Sequence, residues 1–220
     1  MPDKIVFWDV DTQYDFMADY GRVYVPGAKE IWEPLKKLTQ HARAMGYRVF
    51  GSVDDHMPGD PELSRTPDMK TTFPPHCMKG SPGTSKIEAT QPKNPYWVER
   101  WAYDPAMLRR KVLDHPDEVY VLKTTFDVFS NPNTEKVLDL VAPDKVVIYG
   151  VAEDRAVAHT VRGMLARGKV ALFVVADATR ANDPAAAAAL REEWTGKGVR
   201  YVTVADVIEK GVVESAPVPG

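Results

Sequence analysis

With one cysteine in 220 residues, Cys77 has no partner inside the chain. An internal disulfide is excluded, and the composition fits a reducing cytoplasm, which is the expected location. Long apolar runs are missing as well, and none approaches the ~18 residues of a membrane span. Neither sign of charge dominates, with 28 Lys and Arg against 31 Asp and Glu and a formal net charge of −3. A nucleic-acid partner would need a basic excess or stripe, so neither nucleic acid nor membrane is expected as a partner. One strand-length apolar run leads into Asp9 and Asp11 without a signal-type hydrophobic stretch and small-residue cleavage site, so no signal peptide is expected. No internal repeat is visible. The alanines at 185–189 are low in complexity but are strong helix formers.

What is present is ordinary globular composition, 44% hydrophobic and 27% charged, at a length suited to one domain of roughly 150–250 residues. Short β-branched or aromatic runs at 4–10, 47–53, 118–123, 145–151, 170–176 and 199–204 read as strands. Several are almost continuously apolar, as strands covered on both faces are. Helix-length segments at 28–45, 105–113, 132–141, 153–167 and 184–194 lie between them. Three of these open with Asp104-Pro105, Asn131-Pro132 or Asp183-Pro184, a side-chain acceptor at N-cap and proline at the first helical position. Gly46, Gly168 and Gly196 read as C-terminal stops. The alternation predicts a single-domain, doubly wound three-layer α/β/α fold over 1–220, with a mostly parallel sheet of roughly six strands. Residues 54–104 break the rhythm, holding eight of the 18 prolines and no period. A segment of this kind reads as a functional loop insertion, here for metal or substrate. The tail at 211–220 is expected to fray.

Ligands of open α/β sheets sit beyond the carboxyl ends of the strands, so the residues that follow each strand matter most. The first strand delivers Asp11-Thr12-Gln13-Tyr14-Asp15-Phe16, the second Asp54-Asp55-His56, and the third ends at Lys123. The fourth runs through Gly150-Val151-Ala152 into a helix start, Glu153-Asp154-Arg155-Ala156. In an extended segment residues i and i+2 share a side, so Asp54 and His56 can grip one cation. His76, in Pro74-Pro75-His76-Cys77, is the candidate third ligand. An Asp/His/His set with open positions suits zinc first, and also iron or manganese; a solvated loop could carry the same residues. Asp11 and Lys123 could be a plain ion pair or a tuned proton-transfer pair. The 150–156 turn offers backbone N–H groups suited to an oxyanion, and could equally be an ordinary strand-to-helix turn.

These residues together resemble the isochorismatase-like cysteine hydrolases, and among them the nicotinamidases, from about residue 5 to 206. Asp11–Phe16 is similar to the opening D-x-Q-x-D-F, and Asp54-Asp55-His56-Met57-Pro58 to a D-x-H-P metal motif with Met57 intruding. Residues 73–83, from Phe73-Pro74-Pro75-His76-Cys77 to Gly83, resemble W-P-x-H-C-V-x-G-T-x-G. Lys123-Thr124-Thr125-Phe126 is similar to the catalytic-lysine segment, and 150–157 to G-V-A-T-D-x-C-V. The resemblance implies Asp11 as general base, Lys123 as charge stabiliser, and Asp54, His56 and His76 as ligands of one divalent ion. It implies Phe16 and Phe73 flanking a flat ring, a cis peptide at 151–152, and an oxyanion hole from the N–H groups of Ala152 and Ala156. It further implies a small amide as substrate, ammonia as product, and self-association into a homo-oligomer.

The family nucleophile, a cysteine, falls at position 156, where this chain has Ala156. Alanine has no nucleophilic atom, so the chain as written is expected to be essentially inactive as an amidase. Three explanations stand: a cysteine replaced by design, a pseudoenzyme that binds without turnover, or chemistry that needs no thiol. The last would be vinyl-ether hydrolysis of the isochorismatase type with protonated Asp11 as general acid, although relatives of that type usually lack the metal residues. Cys77 is not expected to substitute as nucleophile, since it belongs to the metal motif.

Overall fold

Residues 4–168 and 170–211 are described by the computed structural model. Seven strands form one sheet: β1 (Ile5–Val10), β2 (Arg48–Asp54), β3 (Tyr96–Val98), β4 (Val119–Lys123), β5 (Lys145–Val151), β6 (Ala171–Arg180) and β7 (Arg200–Val202). Their order is β3-β4-β2-β1-β5-β6-β7, and every pairing is parallel. The chain builds outward from β1 on one side through β2 and β4, then returns to lay β5 against its other side. The order therefore reverses at β1, and the crevice beyond the carboxyl ends of β1 and β5 is where such a sheet takes a ligand.

The helices are α1 (Tyr14–Met17), α2 (Trp32–Ala44), α3 (Pro105–Leu113), α4 (Thr134–Val141), α5 (Ala158–Arg167) and α6 (Pro184–Gly196). Alternation along β1 sorts its side chains to two cores. Ile5 and Phe7 pack with Leu35, Leu38 and Ala42 of α2 on one face. Val6, Trp8 and Val10 pack on the other with residues of α3 to α6, including Val137, Val161 and Trp194. No helix among the described residues is long and apolar enough to cross a membrane.

The expected fold class holds, with four differences in detail. The seventh strand is β3, three residues at the sheet edge inside the 54–104 segment, too short to show a period. The helix expected from Pro132 starts at Thr134, because residues 131–134 close as a turn first: Thr134 N–H donates to the Asn131 carbonyl (3.1 Å) and Asn133 N–H to Asn131 Oδ1 (2.9 Å), while Asn131 Nδ2 donates to the carbonyls of Leu122 (2.8 Å) and Glu99 (3.0 Å). Gly196 is the last residue of α6 rather than a stop beyond it, whereas Gly46 and Gly168 adopt the expected left-handed conformation. The helix expected over 153–167 opens with a wider π turn at Glu153–Val157. Residues 212–220, most of the segment expected to fray, lie outside the described residues.

Candidate active site

Parallel register brings the first charged residues together. Asp54 and Lys123 are the last residues of β2 and β4 and are directly paired. Val10, the last residue of β1, pairs with Ser52 on one side and Gly150 on the other. The next residue, Asp11, turns out of the strand at φ 49°, a left-handed conformation that aspartate tolerates better than most residues. Gly150 has φ 115°, and a Cβ there would fall 2.1 Å from the Val10 carbonyl oxygen, so only glycine permits this approach of β5 to β1.

The Lys123 ammonium lies between two carboxylates, 2.7 Å from Asp11 Oδ2 and 2.5 Å from Asp54 Oδ1. Ser52 Oγ donates to Asp11 Oδ1 at 2.6 Å. Burial opposes the charge on Lys123, but Asp11 and Asp54 outweigh it and lift the ammonium above its ordinary range. Burial raises the Asp11 carboxyl, Lys123 pulls it back, and Asp54 adds to the rise.

The second oxygen of Asp54 faces two imidazoles, with Oδ2 3.9 Å from His56 Nε2 and 4.0 Å from His76 Nε2. Three ligand atoms so placed can hold one metal ion, since one ion can lie ~2.0–2.2 Å from each. Two observations fit an ion. Neither ring nitrogen of buried His56 has a hydrogen-bond partner, and burial, with His76 and Lys123, holds its pKa down at about 4, so the ring stays neutral. His76 Nδ1 lies 2.9 Å from the Pro74 carbonyl; donating there fixes the tautomer that leaves Nε2 its lone pair. Asp60 Oδ2 stands 3.6 Å from His56 Nδ1 and is itself held by Arg100 at 3.2 Å.

The long loop is positioned by residues to which the sequence assigned no role. Gln13 Nε2 donates to the carbonyls of Asp54 and Thr84, and its Oε1 accepts from Asp54 N–H at 2.8 Å. Asp15 Oδ2 accepts from Cys77 N–H at 2.6 Å, and a Cβ at Gly83 would press within 2.2 Å of that carboxylate. The Cys77 thiol is fully buried, off the cleft wall, and raised well above its ordinary pKa by burial and by Asp54, Asp15 and Asp11. That environment suits an inert packing thiol.

One cleft unites most of the sequence-derived residues: Asp11, Phe16, Asp54, Phe73, His76, Ala152 and Ala156 all line it. Lys123 reaches it through Asp11 and Asp54, and the His56 ring centroid lies 4.6 Å from that of His76. Phe16 and Phe73 meet His76 edge-on at 5.5 and 6.0 Å. The Val151–Ala152 peptide is cis, as the resemblance implies. Phe126, Arg155 and Asn182 also line the cleft. No periodicity singled them out, although Phe126 and Arg155 stand inside the motifs quoted above.

Glu62 is the most anomalous residue that sequence reasoning missed. It is 6% exposed, and neither carboxylate oxygen has a hydrogen-bond partner. Burial, then the charge of Asp54, pushes its pKa up to about 8. A carboxyl raised in the folded state stabilises the fold fully below its unfolded pKa, near 4.5, and loses that contribution as pH rises toward 8. Glu62→Gln is therefore expected to stabilise chelator-treated protein, by a margin that grows from pH 4.5 to 8 and then levels. The plateau is on the order of 5 kcal/mol. Urea unfolding of both proteins across that range measures it; a margin independent of pH would contradict the assignment.

Residues 105–206 match the family described as the Isochorismatase domain. The nicotinamidase/pyrazinamidase of Mycobacterium tuberculosis is 35% identical over 96 residues, covering 40% of this chain and 50% of that protein. The chain thus spans about half the length of the curated relative it matches. Among solved structures, the pyrazinamidase/nicotinamidase of Streptococcus mutans superposes with a TM-score of 0.69 at 22% identity, covering 90% of this chain and 99% of that one. The Pyrococcus horikoshii pyrazinamidase, solved in complex with zinc, gives 0.71 at 19% identity, covering 91% and 99%. At those identities the structures establish the shared fold.

Proposed function

We propose that this isochorismatase-like chain of the nicotinamidase-like branch is an amidohydrolase scaffold for a small planar amide, held inactive by Ala156. The observation that carries the reading is the meeting of Asp11, Asp54, His76, Ala152 and Ala156 on one cleft wall. The reaction is hydrolysis of an amide to an acid and ammonia. In the family chemistry a thiol at 156 attacks the amide carbon, ammonia leaves, and water cleaves the thioester. Asp11 would take the thiol proton and hand it to the leaving nitrogen, with Lys123 holding the carboxylate. The N–H groups of Ala152 and Ala156 are proposed to receive the oxyanion, and Phe16 and Phe73 to flank the ring. Asp54, His56 and His76 would hold a divalent ion, zinc first among the candidates. When bound, such an ion supplies Lewis acidity and an anchor for a ring nitrogen. With alanine at 156 the first step has no attacking atom, so binding without turnover is the expected behaviour.

A second reading, vinyl-ether hydrolysis, draws support from the raised Asp11 carboxyl, which could act as general acid. Lys123 at 2.7 Å and the metal-type triad weigh against it. Ammonia release from nicotinamide by Ala156→Cys, set beside isochorismate turnover by the unaltered chain, separates the two readings. For the ion, equilibrium dialysis is expected to show about one zinc per chain and a loss of at least ~10-fold in affinity for His76→Ala. Equal zinc affinity in both proteins would remove the metal from the proposal.

A further inference from the structure

Arg155 is the one arginine or lysine among the residues lining the cleft. Its guanidinium carbon lies 4.7 Å from the Phe73 ring centroid and 5.3 Å from that of Phe126, which orients the planar fork against two aromatic rings. Among the described residues, one N–H contact is made, from Nη2 to the Met69 carbonyl at 3.1 Å. A guanidinium has five N–H donors, so most of the fork is uncommitted. No carboxylate among the described residues pairs with it: Glu62 feels its charge but has no hydrogen-bond partner on either oxygen.

Asn182 is brought to the same wall by a separate device. The Asp154 carboxylate accepts from the backbone N–H groups of Asn182 (2.9 Å) and Asp183 (3.1 Å). This fastens the turn after β6 to the turn that carries Arg155. The side-chain amide of Asn182 makes no hydrogen bond to the described residues. An arginine fork and a primary amide on one wall, both with spare donors, make a recognition pair for a carboxylate.

We infer that Arg155, with Asn182, is a specificity-determining residue, and that the ligand is an amide also bearing a carboxylate. The inference rests on the amidohydrolase reading and narrows its substrate class. Arg155 is the one cationic side chain on the cleft wall, so it is the side-chain partner that an anionic group of the ligand would meet there. A neutral amide would leave the fork without an anionic partner in a partly desolvated site.

Calorimetric titration of the unaltered chain tests this, because Ala156 keeps the ligand intact. The probes are fumaramate and 3-carbamoylbenzoate, each against its uncharged diamide of equal heavy-atom count. The acids are expected to bind at least ~10-fold more tightly than the diamides at low ionic strength. Arg155→Met should erase that preference while changing diamide affinity less than ~3-fold, and Arg155→Lys should keep part of it. Equal binding of acid and diamide by the unaltered chain overturns the inference. So does loss of both ligands in Arg155→Met, which would make the arginine a tether for the Met69 loop. Ammonia release from the diamides by Ala156→Cys is read in parallel. Activity there without an acid preference sinks the role of Arg155 alone, whereas no binding and no ammonia from any amide sinks the scaffold reading and this inference with it.

Discussion

Ala156→Cys is expected to raise ammonia release from a bound small amide by at least ~10⁴-fold, and toward 10⁶-fold if the remaining machinery is intact. The size follows from what is missing. Loss of an attacking atom leaves only binding and electrostatic positioning, and restoring that atom recovers the difference. The position is ready for a thiol. Ala156 is 4% exposed and lines the cleft, so Sγ would project into space that a ligand reaches. It lies in the Glu153–Val157 turn that leads directly into α5. A thiol in the first turn of a continuous helix is held toward its thiolate form. The turn is anchored independently of residue 156: Arg191 donates to both oxygens of buried Glu153, at 2.8 and 2.5 Å, and Tyr201 adds a third bond at 3.1 Å. The substitution should therefore leave the backbone in place. Ala156→Ser is the control, expected to recover far less because a hydroxyl is a weaker nucleophile near neutral pH. If Ala156→Cys folds, binds amides and releases no ammonia above the unaltered chain, the assignment of position 156 is wrong.

The parts of this site legible in the sequence are those fixed by strand ends. A charged residue that closes a nearly continuous apolar run must emerge at the sheet edge, and Asp11, Asp54 and Lys123 did so in mutual contact. His56 follows from i, i+2 geometry after Asp54. His76 can be named as a candidate third ligand by residue type, but its approach to Asp54 and His56 cannot be derived, because it depends on a loop with no period. That loop crosses back through bridges such as His56 to Met78 and Leu63 to Phe73, pairings of single residues that leave no pattern. Glu62 was illegible for the same reason: its meaning lies in being buried without a partner, which only three-dimensional packing reveals. Arg155 sat in plain view one residue before position 156. Its role was hidden because an arginine in a helical first turn reads as a solvated charge until its aromatic neighbours are known. Asn131 shows a partial error: its Oδ1 accepts from the backbone as a cap would, but from Asn133 in a turn ahead of the helix, while its Nδ2 ties Glu99 and Leu122 together.

Lys123→Met is expected to lower the unfolding free energy at pH 7 by about 3–5 kcal/mol, the cost of breaking a buried ion pair from one side. Lys123 is 2% exposed and bridges Asp11 and Asp54, so its removal leaves two carboxylates facing each other in a dry site. The pH dependence separates this cause from lost packing, which methionine largely preserves. In the unaltered chain the ammonium is raised above its ordinary value of 10.5. Its contribution is therefore fully present through neutral pH and is lost only as pH climbs past that value. In Lys123→Met the Asp11 carboxyl, already raised by burial, loses the charge that pulled it down and is raised further by burial and by Asp54. A carboxyl raised in the folded state favours folding below its unfolded pKa and opposes it above, so the variant should recover stability as pH falls from 7 toward 4. Adding Asp11→Asn removes one of the two charges and should restore part of the loss at pH 7. Urea unfolding of the single and double variants at pH 7 and pH 5 reads all three effects. A loss below about 1 kcal/mol at pH 7 that does not change with pH would mean that Lys123 is a spectator.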